Sequence, residues 1–129
     1  MASPIRFIAI RSFPVSQRAD TASRRSLAAD FPAGEKAVKL RTRYFDDHLD
    51  EMLARGCRQV IILGAGLDTR AVRKQSPGVT YFEIDEVDII NFKRDRMREA
   101  GIDAPIVFIS GNYVTNGLVR LLAKKWLRI

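Results

Sequence analysis

A disulfide framework is excluded for this sequence, because its 129 residues include a single cysteine, Cys57. Small secreted domains depend on paired cysteines, whereas cytosolic thiols are kept reduced. Long hydrophobic runs are also missing, and no stretch approaches the roughly 20 residues that a membrane-spanning helix needs. The short apolar segment at 5–10 is interrupted by Arg6 and is not followed by a signal-peptide cleavage site. We therefore expect a cytoplasmic chain with no membrane segment.

Acidic residues are the minority charge, with 15 Asp and Glu against 22 Lys and Arg and a net charge of +7. Clustered basic residues would indicate nucleic-acid binding. The excess here is spread over both halves of the chain and forms no basic tail or stripe interleaved with aromatic residues. We therefore expect no specific nucleic-acid partner. The hydrophobic content of 47% is that of an ordinary soluble domain with a buried core.

The N-terminal stretch differs in pattern from the rest of the chain. Residues 1–35 carry three prolines and no sustained period, so we expect a leader there and a folded domain over 36–129. From Glu35 the apolar residues recur every three or four positions, which predicts a helix that ends at Gly56. The apolar positions on this helix are Val38, Phe45, Leu49, Met52 and Leu53.

The remaining residues alternate between two patterns. Short apolar segments rich in β-branched and aromatic residues predict three strands, at 59–63, 79–84 and 104–109. Helical patterns follow these strands at 68–75, 86–100 and 117–126. This alternation is typical of right-handed βαβ units. The predicted fold class is therefore α/β, a Rossmann-like fold with three parallel strands and crossover helices.

A glycine turn, Gly64-Ala65-Gly66, follows the first predicted strand. In open α/β sheets, ligands bind beyond the carboxyl ends of the strands. Two glycines let the backbone turn sharply and approach a ligand with no Cβ in the way. A tight strand-to-helix turn without a ligand would contain the same residues, so this turn alone does not decide the function.

An acidic residue, Asp85, ends the second predicted strand 19 residues after Gly66. That is close to the spacing of about 20 at which a carboxylate accepts hydrogen bonds from the two hydroxyls of a ribose. The glycine turn and the acid together predict a nucleoside-containing ligand. Thr69 stands where a dinucleotide-binding turn has its third glycine, which counts against NAD or FAD. S-adenosylmethionine has an adenosine but no phosphate and does not need that glycine.

Three strings of residues give a more specific indication. They are Arg-Thr-Arg-Tyr-Phe-Asp-Asp at 41–47, Val-Ile-Ile-Leu-Gly-Ala-Gly-Leu-Asp-Thr-Arg at 60–70 and Phe-Glu-Ile-Asp at 82–85. Together with Ala-Asp-Thr-Ala at 19–22, they resemble the leucine carboxyl methyltransferase family. This family of class I S-adenosylmethionine-dependent O-methyltransferases includes bacterial proteins of polyketide biosynthesis. The resemblance covers most of the chain.

The resemblance implies a cofactor, S-adenosyl-L-methionine, and a set of residues that hold it. Gly64, Ala65 and Gly66 would line the methionine part, and Asp85 would hold the ribose hydroxyls. Arg41 would meet the cofactor carboxylate. After the third strand, many relatives carry an Asp-Leu pair at the adenine, and this sequence departs from that pattern with Asn112 and Tyr113. We expect the amide of Asn112 to bond the adenine in its place, with Tyr113 stacked on it.

Helix geometry agrees with the role implied for Arg41. At about 100° per residue, Arg41 projects beside the apolar face formed by Val38 and Phe45, whereas Arg43 points away. An arginine beside a buried face needs an anionic partner, although it can also extend its stem to the rim. His48 and Cys57 are expected in surface or packing roles. No catalytic side chain and no metal ligand are predicted, because methyl transfer requires mainly the alignment of acceptor, methyl group and sulfur.

We therefore expect a methyltransferase that acts on a carboxylate or a hydroxyl of a small-molecule or carboxylate-bearing acceptor. Members of the family are longer and have more strands. The resemblance therefore implies a partial Rossmann-like class I methyltransferase fold, with a partial S-adenosylmethionine-binding domain over 36–129, and we expect a truncated chain that is catalytically inactive alone. An open edge on the strand Val60–Leu63 would then promote self-association. Two alternatives stay open at this point, a nicotinamide-dependent oxidoreductase fragment and a non-catalytic interaction module.

Overall fold

The computed structural model describes residues 7–11 and 32–126, which contain one four-stranded parallel sheet in the order β1-β2-β3-β4. The first half comprises β1 (Phe7–Arg11), α1 (Pro32–Ala54), β2 (Gln59–Leu63) and α2 (Arg70–Arg73). The second half comprises β3 (Thr80–Asp85), α3 (Val87–Glu99), β4 (Ile106–Ser110) and α4 (Leu118–Trp126). The predicted α/β class with parallel strands and crossover helices is confirmed.

Helix α1 confirms the predicted long helix and its end. It begins a few residues earlier than Glu35, at Pro32, where proline suits the first helical turn because its missing N–H is not needed there. Gly56 ends it with a φ of 90°, a left-handed value that favours glycine. The Cys57 N–H then donates to the Met52 carbonyl at 2.9 Å and satisfies one of the last helical acceptors.

Strands β2 and β3 are buried on both faces, as expected for parallel strands between helices. One apolar cluster lies between the sheet and helices α1 and α2, and a second lies between the opposite face and α4. The first cluster contains Leu49, Cys57, Val60, Ile62, Ala65, Ala71, Val79 and Tyr81. The second contains Ile61, Phe82, Ile84, Ile109, Leu121 and Leu122. Strand β2 therefore contributes to both clusters, which confirms that it is apolar on two sides.

The prediction of three strands is correct for β2, β3 and β4, but the sheet has a fourth strand that the sequence analysis missed. Strand β1 pairs in parallel with β2, from Phe7 opposite Gln59 to Arg11 opposite Leu63. The predicted open edge on β2 is therefore wrong. Unpaired backbone groups on a central strand are unfavourable, and the backbone of residues 7–11 pairs with them.

Part of the predicted leader thus belongs to the folded domain, with residues 7–11 in the sheet and residues 32–35 in α1. Residues 1–6 and 12–31, which include the string at 19–22, lie outside the described ones, as do residues 127–129. None of the helices formed by described residues combines the length and the apolar character needed to cross a bilayer.

Helix α3 packs differently from its sequence pattern. Two of its apolar residues, Val87 and Phe92, are 54% and 38% exposed, and the Arg96 guanidinium lies over the Phe92 ring, 5.2 Å from its centre. The buried residues of this helix are Ile90 and Lys93. A buried lysine requires a partner, which lies in the site described below.

Leu40 and Leu49, two of the three leucines of α1, test which face of the helix stabilises the domain. Leu49 is fully buried, whereas Leu40 is 60% exposed. We expect Leu49→Ala to lower the free energy of unfolding by about 2–5 kcal/mol, because it removes buried contacts and leaves a cavity. Leu40→Ala is the matched control and should change it by less than about 0.5 kcal/mol. Urea unfolding measures both, and equal losses would contradict the packing of α1.

Candidate cofactor-binding site

The glycine turn lies at the carboxyl end of β2 and needs its two glycines. Gly64 and Gly66 have φ values of 59° and 49°, a left-handed conformation that side chains with a Cβ rarely adopt. The Gly64 N–H donates to the Ile84 carbonyl at 2.8 Å, and the Asp68 N–H donates to the Ala65 carbonyl at 2.7 Å. These bonds fold the backbone tightly against the end of β3.

Asp85 contacts the glycine turn directly. Its Oδ2 accepts the Gly66 N–H at 2.8 Å, and its Oδ1 accepts the Glu86 N–H at 2.8 Å. An ionised carboxylate offers about four lone-pair positions, so roughly two stay available for other donors. The Asp85 carboxylate can therefore hold the turn and still accept hydrogen bonds from two hydroxyl groups.

The N-terminus of α2 is poorly suited to a phosphate. The Asp68 carboxylate is 4% exposed, and its Oδ1 accepts the Arg70 N–H at 2.8 Å. An anion of the protein thus occupies an amide that a pyrophosphate would need. The Thr69 hydroxyl, at the N-cap position, accepts a hydrogen bond from Arg73 Nε at 2.8 Å and makes no capping bond to the helix. The arrangement favours a ligand without phosphate over a dinucleotide.

Arg70 connects the segment after the glycine turn to α1. Its Nε donates to Asp46 Oδ1 at 2.7 Å, its Nη1 donates to Asp68 Oδ2, and its Nη2 donates to the Thr42 carbonyl at 3.3 Å. The guanidinium also lies 5.7 Å from the centre of the Phe45 ring. Because the Arg70 side chain is only 8% exposed, these contacts fix α1 against the site in a largely dry environment.

Asp46 is the acidic partner on α1. Burial acts to raise the pKa of this carboxyl, but hydrogen bonds and charge attraction from Arg73 and Arg70 outweigh it and hold the pKa below its ordinary value. Lys74 adds a more exposed pair with Asp50 of the same helix at 2.6 Å. Three basic residues of one short segment therefore face two acids of α1.

A buried ion pair lies behind the glycine turn. Lys93 Nζ on α3 contacts Glu83 Oε2 of β3 at 2.5 Å and donates to the Asp68 carbonyl at 2.6 Å. Burial raises the pKa of the Glu83 carboxyl even though Lys93 acts to lower it. The sequence analysis missed both residues. The signal was an acid in the middle of a predicted buried strand, which must have a cationic or hydrogen-bonding partner.

The loop that contains Asn112 begins beside the backbone of Asp85. The preceding residue, Gly111, donates its N–H to the Asp85 carbonyl at 3.0 Å, which brings the loop after β4 to the end of β3. The Asn112 Oδ1 accepts the backbone N–H groups of Val114 and Thr115 at 2.9 and 3.2 Å. Tyr113 packs against the apolar cluster under α4. Binding of adenine by Asn112 and Tyr113 stays a prediction.

Arg41 is half-buried on α1, one turn before Phe45. Val38, expected on the packed face beside it, is instead 56% exposed. A groove of about 420 Å³ runs along this part of α1 and includes Asp46 and Lys74 among its lining residues, without the predicted site residues. The contact between Arg41 and the cofactor carboxylate stays a prediction.

The two lone reactive residues take the packing and surface positions expected for them. Cys57 is fully buried, and its Sγ donates to the Gln59 carbonyl at 3.2 Å. His48 lies on the exposed side of α1, and its ring stacks on that of Tyr44 with the two ring centres 6.2 Å apart. Among residues 7–11 and 32–126, His, Cys, Asp and Glu form no group of three arranged to hold a metal ion.

The parallel sheet, with a glycine turn and an acid that meet at its carboxyl edge, has the Rossmann-like form of a partial class I methyltransferase domain. A sequence model of the leucine carboxyl methyltransferase family matches residues 5–123. The chain belongs to this family.

Mycobacterial relatives carry a provisional name, S-adenosyl-L-methionine-dependent methyltransferase. A protein of Mycobacterium avium (strain 104) is 40% identical over 80 residues, which cover 56% of this chain and 26% of the relative. One of Mycobacterium ulcerans (strain Agy99) is 48% identical over 65 residues, 50% of this chain and 22% of the relative. One of Mycobacterium tuberculosis (strain ATCC 25177 / H37Ra) is 47% identical over 62 residues, which cover 47% of this chain and 20% of the relative. The matched part thus spans about a quarter or less of these proteins.

The acid Asp46 should make stability depend on pH. A carboxyl whose pKa is lowered by folding stabilises the native state at pH values above its ordinary pKa of 3.8. This contribution is lost as the pH falls through the lowered pKa of the native state. We expect Asp46→Asn to reduce the free energy of unfolding at neutral pH by about 1.5–3 kcal/mol, because its acceptors face two guanidinium groups. The variant should also lose less stability than the parent in acid.

Asp47→Asn on the same helix is the matched control. Asp47 is 70% exposed and its nearest Arg43 nitrogen is 3.7 Å away, so its loss should have little effect. Urea unfolding over a series of pH values measures both variants. Indistinguishable curves for the two would show that the contacts of Asp46 with Arg70 and Arg73 do not stabilise the fold.

Proposed function

We propose that this chain binds S-adenosyl-L-methionine at the carboxyl edge of β2 and β3. The observation that carries the proposal is the hydrogen bond from the Gly66 N–H to Asp85 Oδ2 at 2.8 Å. It joins the two features that the sequence separates by 19 residues, and it leaves the carboxylate with lone pairs for a ribose diol. The family membership and the names of the relatives support the same ligand.

Each predicted residue has a distinct part in this proposal. The backbone of the glycine turn would lie along the methionine portion, because Gly64 and Gly66 have no Cβ to hinder its approach. The carboxylate of Asp85 would accept both ribose hydroxyls. Arg41 would pair with the cofactor carboxylate, and the side-chain amide of Asn112 would donate to the adenine through its nitrogen.

For the whole protein, we propose methyl transfer to an oxygen of a carboxylate or hydroxyl acceptor. The bound cofactor supplies a methyl group already activated on a sulfonium. The residues of this chain would hold and orient that cofactor so that its methyl group faces the acceptor. Since the chain covers only part of the relatives' length, the acceptor site is assigned to the whole protein and not to particular residues here. We also propose a cytoplasmic location, on the basis of the single reduced cysteine.

A nicotinamide-dependent enzyme is the second candidate, and calorimetry separates the two. We expect the 129-residue chain to bind S-adenosyl-L-methionine and S-adenosyl-L-homocysteine and not NAD, because Asp68 places an anion where the pyrophosphate would lie. Titration of each ligand into the same protein preparation is the measurement. Preferential binding of NAD would replace our proposal, and binding of none of the three would favour a non-catalytic interaction module.

Asp85 should dominate the affinity for the cofactor. We expect Asp85→Ala to weaken binding of S-adenosyl-L-homocysteine by about tenfold or more, because the loss of a charged acceptor opposite two donors costs roughly 1–3 kcal/mol. Asp88→Ala, an exposed acid in the first turn of α3, is the matched control and should bind like the parent. Thermal melting confirms that each variant is folded. Unchanged affinity in a folded Asp85→Ala chain would remove this residue from the site.

A further inference from the structure

Lys93 is a buried cation that touches the candidate site without lining it. Its side chain is 7% exposed, and that of Glu83 is 1% exposed. The ammonium group bridges two elements, since it contacts Glu83 Oε2 on β3 and donates to the Asp68 carbonyl, two residues beyond the glycine turn. The lysine stem reaches these groups from α3, so one side chain joins a helix, a strand and a loop.

The segment that follows the glycine turn is held from both sides at Asp68. Lys93 binds its carbonyl oxygen, and Arg70 binds its carboxylate. The Asp68 N–H closes the turn onto the Ala65 carbonyl at 2.7 Å. Such anchors matter because glycines lose more backbone freedom on ordering than other residues, and Gly64 and Gly66 are both in this turn.

The ion pair is a weak source of stability for the core. Glu83 Oε1 is buried with no hydrogen-bond partner among the described residues, so the carboxylate is only partly satisfied. A buried ion pair with incomplete hydrogen bonding often contributes less to stability than an apolar pair of the same volume. A role in positioning explains its presence better, because an apolar side chain could not bind the Asp68 carbonyl.

We propose that Lys93, held by Glu83, is a positioning residue that fixes the glycine turn in the conformation that receives the cofactor. This inference rests on the proposed binding of S-adenosyl-L-methionine and extends it to residues that do not touch the ligand. Rigidity present before binding lowers the entropy that binding must remove, and loss of the anchor therefore weakens affinity with the fold intact.

The test compares three variants of the full chain. Glu83→Met/Lys93→Met removes both charges at similar volume and leaves the Asp68 carbonyl without its donor. Lys93→Arg keeps a cation with several donors on a long stem. Arg96→Met is the control, because Arg96 lies on the exposed side of the same helix. Each is assayed by thermal melting, by hydrogen exchange of the backbone amides at 64–68 and by calorimetric titration with S-adenosyl-L-homocysteine.

We expect the double variant to melt at no lower a temperature than the parent. Its backbone amides at 64–68 should exchange about tenfold faster, and its affinity for S-adenosyl-L-homocysteine should fall by about tenfold. A tenfold change is about what the loss of one hydrogen bond to a charged group produces. Lys93→Arg should restore most of both properties, and Arg96→Met should match the parent. A folded double variant with the exchange and affinity of the parent would overturn the proposal.

Two further outcomes are also decisive. If the double variant does not fold, Glu83→Gln/Lys93→Met repeats the comparison with a neutral polar residue on the strand, and failure of both to fold would show that the pair is structural and contradict the proposal. If the parent binds no cofactor, the proposed function fails, whereas the exchange of amides 64–68 still tests the role of Lys93 in the unliganded chain.

Discussion

The contact between the Asp85 carboxylate and the Gly66 amide determines the geometry of the whole carboxyl edge. It ties the end of β3 to the turn that leaves β2. The same residue receives the loop after β4, because its carbonyl accepts the Gly111 N–H. Three consecutive connections of the sheet thus converge on one residue. Parallel strands make this possible, since all their carboxyl ends lie at one edge.

The parts of the fold that follow from local pattern could be predicted from the sequence. Strand β2 has the bounds that its apolar run indicates, and α1 ends at Gly56 because only a glycine tolerates the left-handed conformation there. The meeting of the glycine turn with Asp85 was also predictable. It requires only that β2 and β3 are adjacent and parallel, which is the usual arrangement for consecutive strands joined by a crossover that contains a helix.

Features that depend on distant partners could not be predicted in the same way. Strand β1 has a short apolar run like that of β2, but in a proline-containing N-terminal stretch the same run also fits a leader, and the pairing with β2 distinguishes the two. Lys93 belongs by pattern to the charged face of α3, yet it is buried because Glu83 and the Asp68 carbonyl lie beneath it. Val87 and Phe92 are exposed because the face of α3 that packs on the sheet is the one with Ile90 and Lys93.

The buried position of Cys57 allows local opening of the fold to be followed by the reactivity of its thiol. It is the single thiol of the sequence and is fully buried between α1 and the sheet, where its Sγ bonds the Gln59 carbonyl. A thiol-reactive dye can reach it only when the first apolar cluster separates, so the labelling rate reads the opening equilibrium of this layer directly. The chain therefore needs no engineered probe for its local stability to be followed as ligands are added.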